Sequence, residues 1–541
     1  MQRPNGKTSH SFRSYISCSL QIAITVFGSV ILPVSFVKAG EPGETPHSGH
    51  ADNEELDSNR KWPYYSPDEG FRLWESEDGE QRLNLRGHVL ARYAVWDWFE
   101  GPSRDNGYAY SFQRTRLTLK YASEWLVGFV QPQYVHMYNV PDDAFKGPPE
   151  GPLGMGGLYY KHSKDTAPHG VGFHQAYLAL RSPGLHNYSI KAGRFEYSDG
   201  LEVLQRADGK HFNGLKKMRV ADRLISPFGW SAFGRSFDGV MAQLDRPKAN
   251  LTASFFYPTQ GGWENNISTT MDNIDITTLT LTAKRGSFIP GMEIAGFYYK
   301  YRDDRDVTQR VDNTPLSLAP APDGVDIDIS MIGGHALGVY DLGPGKLDLL
   351  LWGGKQFGDW YELDHDAYAV SAEMGYQFVD VFAKPWFRAG YYIGSGDGDP
   401  GDGDHETFFQ MAPGTRKYNL LPYCDLMNIE DTFVQMITYP IKNMTLRADY
   451  HVLSLNNDDD RWYMGSGPTQ NDGGIFGYIG RPSHGDSQLA QELDFIMQYK
   501  LNPHWSVAGS YSHIFGGDIV DGVYTKDNDA DYFSVELQLV F

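Results

Sequence analysis

The final segment of the chain, Asp531–Phe541, constrains the fold more than any other stretch. Its odd-numbered positions from 533 onward are apolar: Phe533, Val535, Leu537, Leu539 and Phe541. The positions between them are the polar residues Ser534, Glu536 and Gln538, and Val540 is the single apolar exception. Because successive side chains of a strand point to opposite faces, this period of two predicts a strand with one apolar face. Such a face must be covered. In a membrane β-barrel, lipid covers it and the first strand satisfies the backbone edge.

The N-terminal residues are typical of a secretory signal peptide. Basic residues precede an apolar run over Ile22–Val37, and the small residues Val37 and Ala39 suit a cleavage site before Gly40. We therefore predict a signal peptide over residues 1–39, a disordered lead-in over 40–65 and a barrel domain over 66–541. The alternative is an uncleaved membrane anchor, which the apolar run disfavours because a helical span needs about 20 residues.

Composition narrows the class further. No second long apolar stretch follows residue 40, which argues against a helical membrane protein. Cys424 is the one cysteine after the signal peptide, so no internal disulfide framework is expected. The acidic balance, with a net charge of −21 and a pI of about 5.2, argues against nucleic acid as a partner. The remaining classes are an outer-membrane barrel and a soluble β-rich secreted protein, and an aromatic content of 14% suits barrel girdles.

Alternating segments recur along the chain and predict many strands. They are Leu83–Val95, Ser111–Tyr121, Gln175–Arg181, Tyr188–Phe195, Arg235–Asp245, Leu251–Tyr257, Leu279–Lys284, Met292–Arg302, Leu347–Trp352, Val370–Phe378, Trp386–Ile393, Met444–Leu453, Leu489–Leu501, Trp505–Phe515 and Asp531–Phe541. At about 10 membrane-crossing residues per strand, the chain length predicts an all-β fold: a transmembrane antiparallel β-barrel of about 18 strands. Four Gly-, Asp- and Pro-rich segments are too long for hairpin turns and predict extracellular or lumenal loops: Pro141–Pro168, Asp303–Asp328, Gly394–Gly414 and Leu455–Gly485.

The polar faces of these strands carry cations. Strand alternation places Arg86, Arg92, Arg114, Arg116, Lys120 and Arg447 opposite the apolar faces, together with Lys300, Arg302 and the lumen acids Asp449, Glu492 and Asp494. Arginine stays charged and binds carboxylates in a two-pronged geometry, so a ring of arginines inside a pore selects anions. We therefore predict that these cations bind an anionic substrate. The alternative is that lumen charges pair with one another and stiffen the wall.

One acidic loop resembles a calcium site in residue type. Asp397, Asp399, Asp402 and Asp404 lie within a Gly-rich stretch, although their spacing is not that of an EF-hand. A calcium site, an electrostatic gate and a merely solvated loop all fit this pattern. No other cofactor is expected. The sequence has no Gly-x-Ser-x-Gly, no His-Glu-x-x-His and no P-loop, so we predict that the protein is not an enzyme.

Three segments resemble the alginate export family of outer-membrane barrels. The first is Lys191–Gly239, the second is the acidic stretch Gly394–Tyr418, and the third is Gln491–Tyr499. The resemblance implies a monomeric barrel of eighteen strands in the bacterial outer membrane. It also implies that an anionic uronate polymer leaves the periplasm through a narrow, Arg-lined constriction.

By this resemblance Arg194, Arg223, Arg235 and Arg416 are wall or constriction residues that contact the substrate. Strict alternation places Arg194 on the outward face, so a bulge is expected near it. The implied partners are an anionic polysaccharide, outer-membrane lipid or lipopolysaccharide and a periplasmic export complex. The alternatives are a general anion or sugar porin, an outer-membrane lipid hydrolase or acyl transferase, and an adhesin that uses Trp-rich loops.

Overall fold

The computed structural model of the protein describes residues 65–541, with the exception of 67, 103–105, 183–186, 206–208, 316, 318–321, 415–417 and 419. The predicted signal peptide lies outside the described residues, as does the lead-in apart from its last residue. Tyr65–Ser66 forms a short strand that pairs with Gly70–Glu75. Gly70–Glu75 in turn pairs with the first residues of the barrel.

Eighteen strands form one antiparallel sheet that closes on itself, as predicted. In chain order they are β1 (Arg82–Asp97), β2 (Gly107–Ala122), β3 (Leu126–Tyr138), β4 (His169–Ser182), β5 (Tyr188–Phe195), β6 (Phe237–Asp245), β7 (Ala249–Pro258), β8 (Ile274–Ala283), β9 (Met292–Asp303), β10 (Ile327–Leu342), β11 (Gly345–Trp360), β12 (Leu363–Phe378), β13 (Trp386–Gly394), β14 (Ile429–Thr438), β15 (Met444–Ser454), β16 (Gln488–Lys500), β17 (Trp505–Gly516) and β18 (Asp529–Val540). Each strand pairs with the next along the chain, and β18 pairs with β1 to close the barrel.

The last residue takes part in this closure. The backbone N–H of Phe541 donates to the carbonyl oxygen of Gly87 over 3.0 Å, and the N–H of Gly87 donates to the carbonyl of Phe541 over 2.6 Å. A Cβ at position 87 would lie 2.2 Å from the Phe541 ring, so the ring occupies the space above a residue without a side chain. The terminal strand therefore has both of its edges paired, as a closed barrel requires.

The two faces of the barrel differ as the alternation predicts. Outward side chains such as Val171, Leu180, Leu281 and Leu351 are apolar and more than half exposed. Most inward side chains are buried, because the long loops fold over them and pack with them into one continuous core. An exposed apolar band around a closed sheet is the surface that lipid covers in a membrane.

The connections between strands divide by length between the two rims. At one rim the turns are no longer than eight residues, for example 123–125 and 343–344. At the other rim lie the long connections 139–168, 196–236, 259–273, 304–326, 395–428, 455–487 and 517–528, together with shorter ones. Since outer-membrane barrels have short periplasmic turns and long extracellular loops, the first rim is periplasmic. The four predicted long loops are confirmed.

Helices and small sheets occur only in the long connections of the described chain. Helix α1 is Gly154–Ser163, α2 is Lys210–Leu215 with a π-helical continuation over Lys216–Val220, and α3 is Asp518–Val523. Short strands pair Asp306–Val307 with Asp472–Gly473, Arg461–Gly465 with Tyr478–Pro482, and Asp404–His405 with β12. No helix among the described residues is long and apolar enough to cross a membrane.

Candidate functional site

The paired strands β1 and β2 present a row of cations to the lumen. Arg86, Arg92, Arg114, Arg116 and Lys120 all lie on the inner face, as predicted from alternation, with His88 opposite Arg116 and Leu90 opposite Arg114. Their environments differ along the barrel. Arg86 and Lys120 lie near the periplasmic rim and are exposed, whereas the other three lie deeper and are buried. The depth of each residue therefore decides whether its charge is available to a solute.

The buried cations of this row bind protein groups. Arg92 forms an ion pair of 2.6 Å with Glu536 of β18 and donates to the carbonyl of Trp230 over 2.8 Å. Arg114 donates to the carbonyls of Gly229 and Ser231 over 3.0 and 2.9 Å. These carbonyls belong to the connection 196–236, which we call the lumen segment. The two arginines therefore fasten this segment to the wall of β1 and β2.

Arg116 has a similar fastening role. Its Nε donates to Gln133 over 2.5 Å, and its guanidinium lies 3.3 Å from the carboxylate of Glu196 at the start of the lumen segment. His174 of β4 contacts the same carboxylate over 2.6 Å. Three neighbouring strands thus hold the first turn of the segment.

The lumen segment also binds the opposite wall. Lys216 forms an ion pair of 2.5 Å with Glu293 of β9. Arg219 and Arg223 bind Glu373 of β12 over 2.7 and 3.2 Å. A segment that contacts β1 and β2 near its two ends and β9 and β12 in its middle must cross the lumen. This connection is not among the four loops predicted from the sequence, and it lies in the lumen.

Glu373 is the centre of a buried charge cluster. In addition to its two ligands from the lumen segment, it binds Arg388 of β13 over 3.0 Å, and Arg388 also binds Asp348 of β11 over 3.1 Å. Three guanidinium groups thus face two carboxylates, and the cluster has an excess of positive charge. Burying charge is costly unless partners compensate, so this network holds the segment in one position.

Aromatic rings complete the packing of these guanidiniums. Arg219 lies 4.5 Å from the ring centroid of Tyr418 and 4.3 Å from that of Phe433. Arg223 lies 4.9 Å from the centroid of Trp352. Cation–π contacts of this kind stabilise a desolvated guanidinium and keep its plane fixed.

Other long connections also bind the lumen segment. Ser226 donates its backbone N–H to the carbonyl of Ala412 over 2.8 Å, which joins the segment to the connection 395–428. Arg235 donates to the carbonyl of Ser466 over 2.5 Å, and Arg481 donates to the carbonyl of Glu150 over 2.9 Å. Four long connections are thus linked to one another through buried backbone groups.

The resemblance implied that Arg223 and Arg235 are wall or constriction residues. Both lie on the lumen segment and its end rather than on a barrel strand, and both are fully buried. Arg416 lies outside the described residues. The position of a cation in a loop that folds inward could not follow from strand alternation.

The expected bulge at Arg194 is absent, and the prediction of a lumen position is wrong for this residue. The register of β5 is continuous with β4 over residues 188–194 and with β6 over Tyr188–Phe195. Arg194 therefore points outward near the extracellular rim, where it binds Asp238 of β6 through two contacts of 2.7 and 2.6 Å. Lys300 and Arg302 also lie on the outer face of β9, paired with Asp328 and Asp275.

The acidic residues lie on the inner face of β15 and β16 as predicted. Glu492 and Asp494 accept hydrogen bonds from the backbone N–H of Leu420 over 2.9 and 3.0 Å. Arg447 forms an ion pair with Asp449. These acids are buried and hold the connection 395–428 against the wall.

The acidic loop uses its carboxylates within its own turns. Asp397, Asp399 and Asp402 each accept the backbone N–H two residues further on, over 3.1, 3.2 and 2.9 Å. Asp399, Asp402 and Asp404 are exposed. Among the described residues, the one cluster of potential metal ligands lies elsewhere in the barrel. A calcium ion in this loop stays a prediction.

Sequence reasoning missed Arg219, Glu373 and Arg388 as members of the site. A signal existed for the last two, because each lies on the polar face of a predicted strand, as Arg447 does. No alternation could identify Arg219, since it lies in a helical turn within a loop.

Comparisons with known proteins agree with this architecture. A family model described as alginate export matches residues 161–532. Among solved structures, OccK9 (OpdG) of Pseudomonas aeruginosa is similar with a TM-score of 0.50 and 11% identity, covering 85% of this chain and 98% of that one. OccAB2 of Acinetobacter baumannii gives 0.49 and 9% over 84% and 98%, and the outer membrane protein OpdK of P. aeruginosa gives 0.48 and 10% over 84% and 98%. At 11% identity the likeness to OccK9 shows the fold alone. No curated protein matches the chain.

Proposed function

Because the chain belongs to the alginate export family and is therefore an outer-membrane channel, we propose that it passes an anionic polysaccharide, a uronate polymer such as alginate, from the periplasm to the cell surface. It acts without catalysis. The bacterial outer membrane is its location, and a periplasmic export complex would deliver the polymer to its inner rim.

The observation that carries the proposal is the pair of exposed lumen cations near the periplasmic rim. Arg86 and Lys120 lie on the inner face two strand positions apart across the β1–β2 ladder. Neither has an acidic partner or a hydrogen-bond partner among the described residues. Arg82 lies nearer the rim but is paired with Glu75, so Arg86 and Lys120 are the first cations without an acidic partner that an outgoing polymer would meet on this wall. A carboxylate on every sugar suits such a row, since each free cation can bind one carboxylate in turn.

The lumen segment favours a gated exporter over a general porin. A general porin needs a water-filled lumen, whereas this segment crosses the lumen and binds both walls. Bound to Glu373, the segment would restrict small solutes. Displacement of the segment by a polymer would open the path.

The test is ion selectivity and polymer binding in planar bilayers and in solution. The reversal potential in a salt gradient is measured with and without an oligouronate, and binding of a fluorescent oligouronate is followed alongside. We expect an anion-selective current that the oligouronate blocks and a neutral oligosaccharide does not. The variant Arg86→Ala plus Lys120→Ala should weaken both the selectivity and the binding several-fold.

The matched control removes the same two residue types from the outer face. Lys300→Ala plus Arg302→Ala should leave selectivity and oligouronate binding as in the wild type, because these side chains do not face the lumen. Cation selectivity of the wild-type barrel, or oligouronate binding that survives loss of Arg86 and Lys120, would refute the proposal.

A further inference from the structure

Two aspartates face each other across neighbouring strands of the inner wall. Asp449 of β15 and Asp494 of β16 are direct cross-strand partners, and His451 is the next inward residue after Asp449. All three side chains are at most 2% exposed. Like charges directly opposite each other destabilise a sheet, and burial removes the water that would otherwise screen them.

The surroundings supply too little positive charge to compensate. Glu492 lies opposite His451, and Asp431 of β14 binds the Nδ1 atom of His451 over 2.9 Å, so four carboxylates meet in this region. The charged partner from the wall is Arg447, which forms an ion pair with Asp449. Arg219 lies near Asp449 but is held by Glu373. An excess of buried negative charge remains.

Several ligand atoms of this cluster have no hydrogen-bond partner in the described protein. They are His451 Nε2, Oδ1 of Asp449 and Oδ1 of Asp494, whereas Oδ2 of Asp449 makes the ion pair with Arg447. Buried polar atoms are rarely left in this state in folded proteins. One ligand atom from each of the three residues lies within 4.8 Å of those of the other two. Tetrahedral zinc coordination at about 2.0–2.2 Å places ligand atoms about 3.3–3.6 Å apart, so rotamer changes that bring these atoms about 1 Å closer complete the geometry.

We propose that Asp449, His451 and Asp494 bind a divalent transition-metal ion, with Zn²⁺ as the best fit. Two carboxylates would neutralise the ion, and the ion would remove the repulsion between them. The imidazole donor selects against Ca²⁺ and Mg²⁺, which prefer oxygen ligands. The contact between Asp431 and Nδ1 leaves Nε2 as the metal ligand, which is the usual carboxylate–histidine–metal arrangement.

The site also connects to the lumen loops. The second oxygen of Asp494, Oδ2, accepts the backbone N–H of Leu420 over 3.0 Å, and Glu492 binds the same N–H. An ion that fixes the Asp494 carboxylate would fix this acceptor for the connection 395–428. Metal binding would therefore stabilise the attachment of that loop to the wall. This inference does not depend on the identity of the transported solute.

The test measures metal content and affinity of the full untagged chain in detergent. After treatment with a chelator, the protein is titrated with Zn²⁺ in competition with a chromophoric chelator, and bound zinc is counted by elemental analysis after desalting. We expect about one Zn²⁺ per barrel, which an excess of Ca²⁺ does not displace. His451→Ala and Asp494→Asn should each lower the affinity at least tenfold, and Asp431→Asn should lower it about 10- to 100-fold.

A matched control keeps the assignment specific. His335→Ala removes another buried, inward histidine, one that contacts Glu293 on the other side of the barrel, and should leave zinc binding unchanged. The heat-dependent gel shift of each variant verifies that the barrel has folded. A second readout is the visible spectrum of the Co²⁺-substituted protein, which His451→Ala should alter. Failure of the folded wild type to bind Zn²⁺, or binding that both His451→Ala and Asp494→Asn leave intact, would overturn the proposal.

Discussion

Buried arginines in this barrel serve mainly as fasteners of loops. Arg114, Arg235 and Arg481 each donate to backbone carbonyls of long connections rather than to a carboxylate. A guanidinium has five N–H donors, so it can satisfy several irregular carbonyls that would otherwise be buried without partners. Counting inward arginines therefore overestimates the charge that a solute meets. Arg86 and Lys120 differ from these buried arginines because their side chains are exposed.

Buried loop carboxyls make the loops sensitive to pH. Burial raises the pKa of Asp397 to about 7 and that of Asp460 to about 6. Such groups hold their protons more tightly in the folded loop than in the unfolded one. Their contribution to stability is therefore complete below the ordinary value of 3.8 and is lost as the pH rises through 6 and 7. We expect the connection 395–428 to show less protection in hydrogen exchange, after correction for intrinsic rates, at pH 8 than at pH 5.

The substitution Asp397→Asn isolates this effect. Asp397 Oδ1 accepts the N–H of Asp399, while Oδ2 has no hydrogen-bond partner in the described protein, so an amide nitrogen can replace Oδ2. The variant should lose at least half of the difference in protection between the two pH values. Asp399→Asn, at an exposed neighbour, should retain it. Equal pH dependence in both variants would contradict the argument.

Fifteen of the strands could be predicted from alternation, and three could not. The missed strands are β3, β10 and β14. In β3 the inward residues Val127, Val135 and Met137 are as apolar as the outward ones. In β14 the inward residues Ile429, Phe433 and Ile437 are as apolar as the outward ones, because they pack against loops in the lumen. Inward residues that pack against loops are thus apolar, and the alternation of polar and apolar residues is lost from the sequence.

The same reasoning explains which parts of the site could be predicted. On a regular strand, alternate positions face opposite sides of the sheet, so the face of each side chain follows from its position. Arg86, Lys120 and Asp494 could therefore be placed correctly. The same alternation places Arg194 on the outward face, and the family resemblance, which implied a lumen position for Arg194, was misleading. The lumen segment has no such periodicity. Its path depends on contacts such as that of Arg219 with Glu373, which lie far apart in sequence.

The contact between two long connections depends on one glycine. Gly261 has a φ of +147°, and a Cβ there would lie 1.8 Å from the carbonyl oxygen of Gly234. The N–H of Gly262 donates to that same carbonyl over 2.9 Å. Gly261→Ala should therefore separate the connection 259–273 from the lumen segment, at a cost of about 1–3 kcal/mol of backbone strain plus the clash. We expect faster proteolysis of both loops and a larger resting conductance.

A second glycine provides the comparison. Gly229 lies within the lumen segment, has no heavy atom within 4 Å of the position of a Cβ, and does not adopt a positive φ. Gly229→Ala should leave proteolysis and conductance near the wild-type values. Unchanged conductance in Gly261→Ala, despite cleaved loops, would mean that this contact does not restrict the lumen.

The barrel wall provides stability, and the loops control passage through the lumen. Closure by β18 and β1 satisfies the backbone and fixes the wall, so the sheet has no edge that depends on the loops. The loops instead depend on the wall, through ion pairs such as that of Lys216 with Glu293. A ligand that competes for those wall charges could displace the lumen segment without opening the sheet. Polyanions compete for arginines in this way, and their carboxylates resemble the Glu373 side chain that the segment now binds.

Replacement of the charged part of the lumen segment tests this division. A Gly-Ser stretch of equal length in place of Lys210–Arg223 removes the contacts with Glu293 and Glu373 while keeping both chain connections. We expect a folded barrel whose resting conductance rises several-fold, and whose anion selectivity falls because Arg219 and Arg223 are lost and Glu373 is uncovered. The same replacement of the exposed residues 399–403 should change neither quantity. A resting conductance that stays low in the first variant would show that other loops close the lumen, and the segment would then serve to position Arg223 rather than to gate.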